Sequence, residues 1–224
     1  MIFAREDWDE SPWRMLMNGC EFDQTYYQEG YGSLVGIDEV GRGCLFGDVV
    51  ACAIVMPRES FIEGIKDSKK LSEKRREALY EEILKECKAV GIGRVDSKTI
   101  DEINIKQASR LAMKKAVENL RDQEGQVFKP DLALIDAETI DLDIEQKAII
   151  HGDDLSYSIS CASIVAKVYR DRLCIQWSKD YPGYGIEKHK GYATVLHRGA
   201  IKALGPSPLH RMTFLRKILS NESH

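Results

Sequence analysis

The sequence lacks any apolar stretch that could cross a membrane. Its longest purely apolar run covers residues 49–56, far short of the roughly 20 residues that a spanning helix needs. The first residues turn acidic at once and do not have the basic-then-apolar order of a signal peptide. Internal repeats and low-complexity segments are also missing from the sequence. We therefore expect a soluble protein of the cytoplasm.

No two of the six cysteines form a C-x-x-C pair, which argues against a zinc site. Cys52 and Cys161 lie among small apolar residues, and we interpret the cysteines as reduced core residues. The composition of the 224 residues is ordinary, with 43% hydrophobic and 30% charged residues. This length and composition predict one compact domain and exclude a disordered or fibrous protein.

The charge of the chain is unevenly distributed. The net charge is −4, yet residues 166–217 contain 11 basic and 3 acidic residues, a net charge of +8 that leaves −12 for the rest. Such asymmetry suggests a basic face for an anionic partner beside an acidic site. A solvated surface with uneven charge explains the same pattern equally well.

Hydrophobic periodicity predicts a sheet flanked by helices. Strands are predicted at residues 33–38, 49–56, 90–95 and 130–136. Helices are predicted at residues 71–87, from a capping box at 99–102, at 158–177 and at 213–219. A short helix is expected within residues 1–30, with Met15, Leu16, Cys20 and Phe22 on its buried side. This order predicts an α/β or mixed α+β domain whose first two strands are antiparallel neighbours.

Acidic residues stand where the predicted elements end. Asp38 and Glu39 close the first strand, Asp136 closes the fourth, and Asp153 and Asp154 precede a helix. Adjacent strand residues point to opposite faces, so Asp38 and Glu39 converge only if the strand ends there. Acids meeting at one sheet edge would repel each other unless cations bound them, and such hard oxygen ligands suit Mg²⁺ or Mn²⁺. Taken singly, these acids are more often turn, strand-end or cap residues.

Two further patterns have more than one interpretation. The glycines at 41, 43 and 47 resemble a dinucleotide-binding loop, but Phe46 occupies the position of the third glycine and a strand is predicted next. Residues 181–192 mix tyrosines with basic residues, which suits stacking beside phosphates or a loop whose tyrosines pack on the core. His189, His197 and His210 do not have a metal-ligand spacing, which favours phosphate contacts or structural hydrogen bonds.

Six ordered blocks, which span roughly residues 20–215, resemble the signatures of the ribonuclease HII (type 2 ribonuclease H) family. They are GIDEVGRG at 36–43, DSKKLS at 67–72, INIKQAS at 103–109, GD at 152–153 with ASIVAKV and RD at 162–171, HKGY at 189–192, and HR at 210–211. The resemblance implies an α/β ribonuclease H-like fold with a central mixed five-stranded sheet flanked by helices, plus a C-terminal helical extension. It divides the chain into an N-terminal segment (1–30), a catalytic domain (31–177) and a basic substrate-binding extension (178–224).

The resemblance also implies the roles of particular residues. Asp38, Glu39, Asp136 and Asp153 would be the catalytic carboxylates and would bind two divalent cations, Mn²⁺ or Mg²⁺. The backbone of Gly41, Arg42 and Gly43 would read the ribose 2′-hydroxyl, and Tyr192 would stack on the next sugar and favour an RNA-to-DNA junction. Lys69, Lys70, Lys167, His210 and Arg211 would complete the substrate-binding set.

The chain departs from the family pattern at several positions. Cys44, Phe46 and Asp48 replace a proline and small residues, and Ala137-Glu138 replaces a glycine and an asparagine. His151 replaces a common lysine, and Ala193 replaces a glycine. All four carboxylates are present. These changes bear on substrate preference and rate more than on the class of reaction.

We therefore expect a monomeric endoribonuclease that acts on RNA–DNA hybrids and on duplex DNA with embedded ribonucleotides. In a two-metal mechanism one cation activates the attacking water and the other stabilises the leaving oxygen, with Asp38 bridging both. A non-catalytic nucleic-acid-binding protein is the first alternative, although it would have no need for four mutually repelling acids. A nucleotide-dependent oxidoreductase is the second alternative and rests on the glycines alone.

Overall fold

The computed structural model describes residues 19–65 and 68–220, and the side chain of Lys70 lies outside that description. The chain forms a mixed sheet with helices on both faces. The strands are β1 (Leu34–Val40), β2 (Val49–Val55), β3 (Ala89–Val95), β4 (Arg121–Asp122), β5 (Leu132–Asp136) and β6 (Glu145–Ile149). The helices are α1 (Gly19–Gln28), α2 (Glu73–Glu86), α3 (Ser97–Glu118), α4 (Gly152–Leu155), α5 (Tyr157–Asp180), α6 (Ile186–His189), α7 (Val195–Leu204) and α8 (Met212–Leu219), and Ser68–Lys70 form one 3₁₀ turn.

The order of the strands across the sheet is β4-β3-β2-β1-β5-β6. β1 pairs antiparallel with β2 and parallel with β5, and β6 continues the parallel part. The expected mixed sheet and the antiparallel first two strands are confirmed. The expected number of five strands differs from the six observed, because the two-residue β4 adds an edge strand beside β3.

Both faces of the sheet are covered because the side chains of each strand alternate between them. On β2, Val49, Ala51, Ala53 and Val55 pack in the cluster that contains the buried face of α3. Cys52 and Ile54, between them, pack in the cluster that contains α5. An all-apolar strand such as β2 is therefore buried on both faces, as its uniform composition predicts.

The long helix α5 approaches β1 so closely that only a glycine fits between them. A Cβ atom on Gly36 would lie 2.2 Å from the backbone carbon of Ser158, well inside van der Waals contact. This close approach matters for function because Asp38 and Glu39 lie near the end of β1, while α5 carries Ser163, which donates a hydrogen bond to Asp38. The glycine thus sets the distance between the strand that carries these acids and the helix that carries Ser163.

The N-terminal and C-terminal segments pack on the sheet in different ways. In α1, Phe22 is buried and Cys20 is half-buried, as expected, whereas Met15 and Leu16 lie outside the described residues. Helices α6 to α8 share an apolar cluster with the C-terminal half of α5, centred on Phe46 and Trp177. The proposed division of the chain at residues 30 and 177 stays a prediction.

Two expected boundaries were wrong. Helix α3 begins at Ser97 rather than at the capping box, because Asp96 is the N-cap and its carboxylate accepts a hydrogen bond from the Thr99 N–H at 2.8 Å. Strand β1 continues past Asp38 to Val40, since Glu39 and Val40 still pair with Ala51 and Val50 of β2.

No helix within the described residues 19–65 and 68–220 is long and apolar enough to span a membrane. The six cysteines form no disulfide, and five of them are buried, as expected for reduced core residues.

Candidate active site

The four expected acids lie near the end of the sheet where β1 and β5 end, close enough for electrostatic repulsion between neighbouring members. These strands are parallel neighbours with Ile37 opposite Ile135, so Asp38 and Asp136 follow at the same end of the sheet. Asp153 is delivered by the short helix α4, which begins just after β6. The amide of Gly152, beside Asp153, donates a hydrogen bond of 2.8 Å to Oδ1 of Asp136 and so joins α4 to the end of β5.

Asp38 points toward α5, where it accepts a hydrogen bond from one serine hydroxyl group. Its side chain is 7% exposed, accepts a hydrogen bond from Ser163 of α5 and one of 2.7 Å from the Glu39 N–H. The Ser163 Oγ lies 2.9 Å from the Oγ of Ser68, which begins the 3₁₀ turn with Lys69. The serine pair therefore fixes Asp38 relative to the lysine segment. Sequence reasoning did not identify these serines as site residues.

Glu39 lies on the other side of the strand from Asp38. Strand β1 continues through Val40, so the expectation that the strand ends at Asp38 is wrong, and side-chain alternation starts Glu39 on the opposite face from Asp38. The Glu39 carboxylate is nevertheless close enough to repel those of Asp38 and Asp136. The Glu39 carboxylate is only 8% exposed and pairs with the Arg42 guanidinium at 3.2 Å. This ion pair attaches Glu39 to the glycine-rich turn that follows.

The acid cluster is electrostatically strained. Burial raises the pKa of Asp38 well above its usual value, and repulsion by Glu39 and Asp136 raises it further. Burial also raises the pKa of Glu39, although the neighbouring Arg42 opposes the shift, and it raises the pKa of Asp136. Lys69 supplies one compensating charge, since its Nζ lies 3.1 Å from Oδ2 of Asp153.

The donor set fits hard divalent cations. Carboxylate oxygens in a mutually repelling cluster are the ligands that Mg²⁺ and Mn²⁺ prefer, and a bound cation would relieve the repulsion. No three His, Cys, Asp or Glu side chains of the described chain converge closely enough to form a ready-made site. Cation binding would therefore need the carboxylate side chains to rotate toward one another.

The glycine loop (residues 41–47) lies next to Glu39 and against the C-terminal extension. Gly41 has a φ of +97°, which a side chain would strain, and a Cβ there would lie 2.4 Å from Nε of Arg170. A Cβ on Gly43 would lie 3.9 Å from the ring of Tyr192, whose side chain is 41% exposed. The loop and Tyr192 thus form one continuous surface, joined by a β-bridge between Cys44 and Tyr192.

The other expected substrate-binding residues differ in how accessible they are to a substrate. Lys69 is exposed beside Asp153, whereas Lys167 forms a 2.7 Å ion pair with Asp171 on α5. His210 and Arg211 are 2% and 0% exposed, which does not fit a direct contact with substrate. The side chain of Lys70 lies outside the described residues.

Three of the departures from the family pattern, Cys44, Phe46 and Asp48, are buried, whereas Ala137, His151 and Ala193 are exposed. Cys44 and Phe46 are fully buried, and Phe46 packs edge-on against Trp177 and His210. Asp48 forms a 2.8 Å ion pair with Arg94. The dinucleotide-loop interpretation is wrong, because the glycine loop leads into strand β2 and offers no helix N-terminus for a pyrophosphate.

Comparisons with known proteins agree with this geometry. The sequence profile of the family described as ribonuclease HII matches residues 35–217. Ribonuclease HII of Alkaliphilus metalliredigens is 58% identical over 203 residues, which are 91% of this chain and 100% of that protein. Ribonuclease HII of Bacillus subtilis is 48% identical over 198 residues, or 88% of this chain and 75% of that protein. The crystal structure of ribonuclease H2 from Pyrococcus horikoshii matches with a TM-score of 0.69 and 26% identity, over 84% of this chain and 98% of that one.

The mixed sheet lies between layers of helices and places carboxylates near the ends of two parallel strands. This arrangement defines an α/β nuclease of the ribonuclease H-like class. The chain belongs to the ribonuclease HII family and is a metal-dependent endoribonuclease. The family resemblance seen in the sequence is confirmed.

Proposed function

We propose that the chain cuts the RNA strand of RNA–DNA hybrids and also cuts duplex DNA on the 5′ side of an embedded ribonucleotide. The products would carry 3′-hydroxyl and 5′-phosphate ends. The observation that carries the proposal is that β1, which contains Asp38 and Glu39, leads directly into the glycine loop, and that a β-bridge joins this loop to Tyr192. A ribose bound against the glycines would present its 5′ phosphate to the acids.

Asp38, Glu39, Asp136 and Asp153 would hold two Mg²⁺ or Mn²⁺ ions. Bound cations would supply a water of lowered pKa and positive charge to stabilise the phosphate oxygens. The chain's own contribution is to orient the carboxylates. The Ser163 hydroxyl and the Glu39 N–H fix Asp38, and the Gly152 N–H fixes Asp136.

Selectivity for a ribonucleotide is assigned to the glycine loop and Tyr192. The absence of a side chain at the exposed Gly43 lets a sugar approach the main chain, where polar groups can bind a 2′-hydroxyl. At Gly41 the absent side chain leaves room for Arg170, which packs behind the loop. Tyr192 offers its exposed ring within van der Waals reach of Gly43, so it can stack on the adjoining sugar. A bulky or misplaced residue at either position would remove the distinction between RNA and DNA at the junction.

Cations near the acids are assigned to phosphate binding. Lys69 is 77% exposed along its side chain and already contacts Asp153, so it can reach a phosphate that lies over the acids. Lys70 follows it in sequence, and Lys167 lies one helical turn beyond Ser163 on α5. Because His210 and Arg211 are buried, we assign them an indirect role behind the glycine loop.

The test uses four end-labelled duplexes with wild-type protein and Mg²⁺ or Mn²⁺. They are DNA with one ribonucleotide, an RNA–DNA hybrid, all-DNA and all-RNA. We expect cutting of the first two only, on the 5′ side of the single ribonucleotide, with products that a ligase can join because they carry 3′-hydroxyl and 5′-phosphate ends. Cutting of all-DNA, or no cutting of any duplex by folded protein, would refute the proposal, and the second result would favour a binding protein.

The sequence-based expectations of a monomer and of a cytoplasmic location stay predictions. Size-exclusion chromatography with light scattering tests the first of them directly, with an expected mass near 25.4 kDa for the monomer.

A further inference from the structure

Two fully buried arginines lie behind the glycine loop. Arg170 and Arg211 are each 0% exposed, although an arginine keeps its charge in proteins. Within the described part of the chain their guanidinium groups contact main-chain carbonyl oxygens and the Cys174 sulfur, and pair with no carboxylate. Burying two such charges is unfavourable unless hydrogen bonds compensate for the lost hydration. The groups that these hydrogen bonds hold together therefore indicate what the two arginines do.

Arg211 joins the two ends of the glycine loop. Its Nη1 donates a hydrogen bond of 3.0 Å to the carbonyl oxygen of Arg42, the central residue between the two site glycines. Its Nε and Nη2 both donate to the carbonyl oxygen of Gly47, at 3.0 and 2.8 Å. The planar fork of one guanidinium therefore fixes the separation of these two carbonyls.

Arg170 joins the loop to the segment that carries Tyr192. Its Nη2 and Nε donate to the carbonyl oxygens of Phe46 and Asp48, at 3.0 and 2.9 Å. Its Nη1 donates at 2.8 Å to the carbonyl oxygen of Lys190, two residues before Tyr192. The same side chain packs against Gly41, where a Cβ atom would collide with it.

A chain of histidines supports Tyr192 from the other side. The Ser207 N–H donates to Nδ1 of His210 at 2.9 Å, so the proton of that ring lies on Nε2. His210 Nε2 then donates to Nε2 of His197 at 3.1 Å, and Nδ1–H of His197 donates to the Tyr192 carbonyl oxygen at 3.0 Å. This order of donors requires both rings to be neutral.

We propose that Arg170 and Arg211 are positioning residues that fix the position of the glycine loop relative to Tyr192. This relative position would set the preference for an embedded ribonucleotide over a long hybrid. The inference rests on the proposed function. At an RNA-to-DNA junction the loop and Tyr192 must read two consecutive sugars, so their relative position matters. Phosphate contacts, in contrast, are repeated along a long hybrid and tolerate displacement.

Arg211→Lys tests the inference, because a lysine keeps the charge but has a single ammonium group in place of the fork. We compare kcat and KM on DNA with one ribonucleotide and on an RNA–DNA hybrid. We expect the ratio of the two kcat/KM values to fall by about tenfold, mainly through kcat on the single-ribonucleotide duplex, because misplaced reading groups slow the reaction more than they weaken binding. Arg170→Lys should act in the same direction.

Hydrogen exchange separates positioning from general stability. In Arg211→Lys the amides of Leu45 and Gly47, which donate to the carbonyl oxygens of Gly191 and Leu209, should exchange faster while the amides of α3 are unchanged. Arg172→Lys is the control, on α5 like Arg170, since the Arg172 side chain is 44% exposed and pairs with Glu77 and Glu81. The control should keep the wild-type ratio and exchange pattern.

An unchanged substrate ratio in Arg211→Lys, or an equal loss on both substrates, would overturn the inference. If Arg211→Lys does not fold, Arg170→Lys decides the question by the same two criteria. The wild type separates this inference from the proposed function. Wild-type protein that cuts neither duplex overturns both, whereas wild-type cutting of both with an unchanged variant ratio overturns the positioning role alone.

Discussion

At the scale of single residues, Asp38 combines burial with repulsion from two neighbouring acids. It is 7% exposed, and burial raises the pKa of its carboxyl group. Repulsion by Glu39 and Asp136 raises the same pKa further. A folded-state pKa above the unfolded value means that protonation favours the folded protein. This contribution is complete below pH 3.8, the usual Asp value, and disappears as the pH rises through the folded-state pKa. At neutral pH and without cations, the ionised cluster therefore destabilises the fold.

Asp38→Asn should abolish turnover, leave duplex binding largely intact and raise the melting temperature in EDTA. The gain in melting temperature should be several degrees at pH 8 and should shrink as the pH is lowered, because protonation of the wild-type carboxyl removes the repulsion. Mg²⁺ should then stabilise the wild type more than the variant. Thermal melts at several pH values, with and without Mg²⁺, measure these changes in melting temperature, with the exposed Asp143→Asn as control. Equal melting temperatures at pH 8 in EDTA would contradict the account.

Ala137, directly after Asp136, has a φ of +48°, in the left-handed region where the Cβ atom of a non-glycine residue is strained. Left-handed geometry costs about 1–2 kcal/mol, and glycine removes that strain but adds unfolded-state entropy. We expect Ala137→Gly to raise the free energy of unfolding by about 1 kcal/mol or less. Urea denaturation measures it. A clear destabilisation would show that the Ala137 methyl makes packing contacts that outweigh the strain.

At the scale of elements, the contact of α5 with β1 holds Asp38 beside Ser163. Gly36→Ala would force a methyl group to within 2.2 Å of the α5 backbone. We expect a loss of more than about 3 kcal/mol in the free energy of unfolding, because neither main chain can move aside. Gly199→Ala in α7 is the matched control, since a Cβ there meets no atom within 4 Å. It should stabilise its helix by about 1 kcal/mol.

The two variants are compared by denaturant unfolding. A loss in Gly36→Ala no larger than the change in Gly199→Ala would mean that α5 can shift away from the sheet.

The C-terminal elements depend on two neutral histidines. Burial lowers the pKa of His197 and of His210 from 6.5 to about 4. Since the unfolded chain binds these protons near pH 6.5, the stability that the pair contributes is present above that pH and is lost as the pH falls toward 4.

Nitrogen-15 NMR of the histidine rings checks this state directly. We expect His210 to carry its proton on Nε2, His197 on Nδ1, and neither ring to become charged between pH 7 and 5 in the folded protein. A titration midpoint near 6.5 for either ring would contradict the hydrogen-bonded chain and the support that it gives to Tyr192.

At the scale of the whole molecule, the sequence predicted the elements with strong patterns. The all-apolar β2 and the periodic helix α5 were found within a few residues of their observed ends. Strand β6 was not predicted, because Glu145–Ile149 is a half-exposed segment with no regular alternation. The end of β1 was misplaced, because pairing with β2 carries the strand through the acids. Both β6 and the end of β1 depend on pairing with strands that are distant in sequence, and local sequence patterns do not contain this information.

The sequence predicted the acids as candidate site residues but did not predict the residues that hydrogen-bond to them. Ser163 and Ser68 belong to matched motifs, yet nothing local shows that their hydroxyls meet Asp38 and each other. Arg170 could have been found, because it is a charged residue on the inward stripe of α5 that continues to Cys174 and Trp177. Arg211 and His210 were expected at the substrate surface from the family resemblance, but the fold buries them.

The central claim is that the acids at the end of the sheet carry out metal-dependent cleavage beside a ribose-reading surface. The most direct measurement is cleavage of a 5′-labelled DNA duplex with one ribonucleotide, by wild type and Asp38→Asn, in Mg²⁺, Mn²⁺ or EDTA. We predict one cut on the 5′ side of the ribonucleotide by the wild type with either metal, none in EDTA, and none by Asp38→Asn. Cleavage in EDTA, or undiminished cleavage by a folded Asp38→Asn, would contradict the claim.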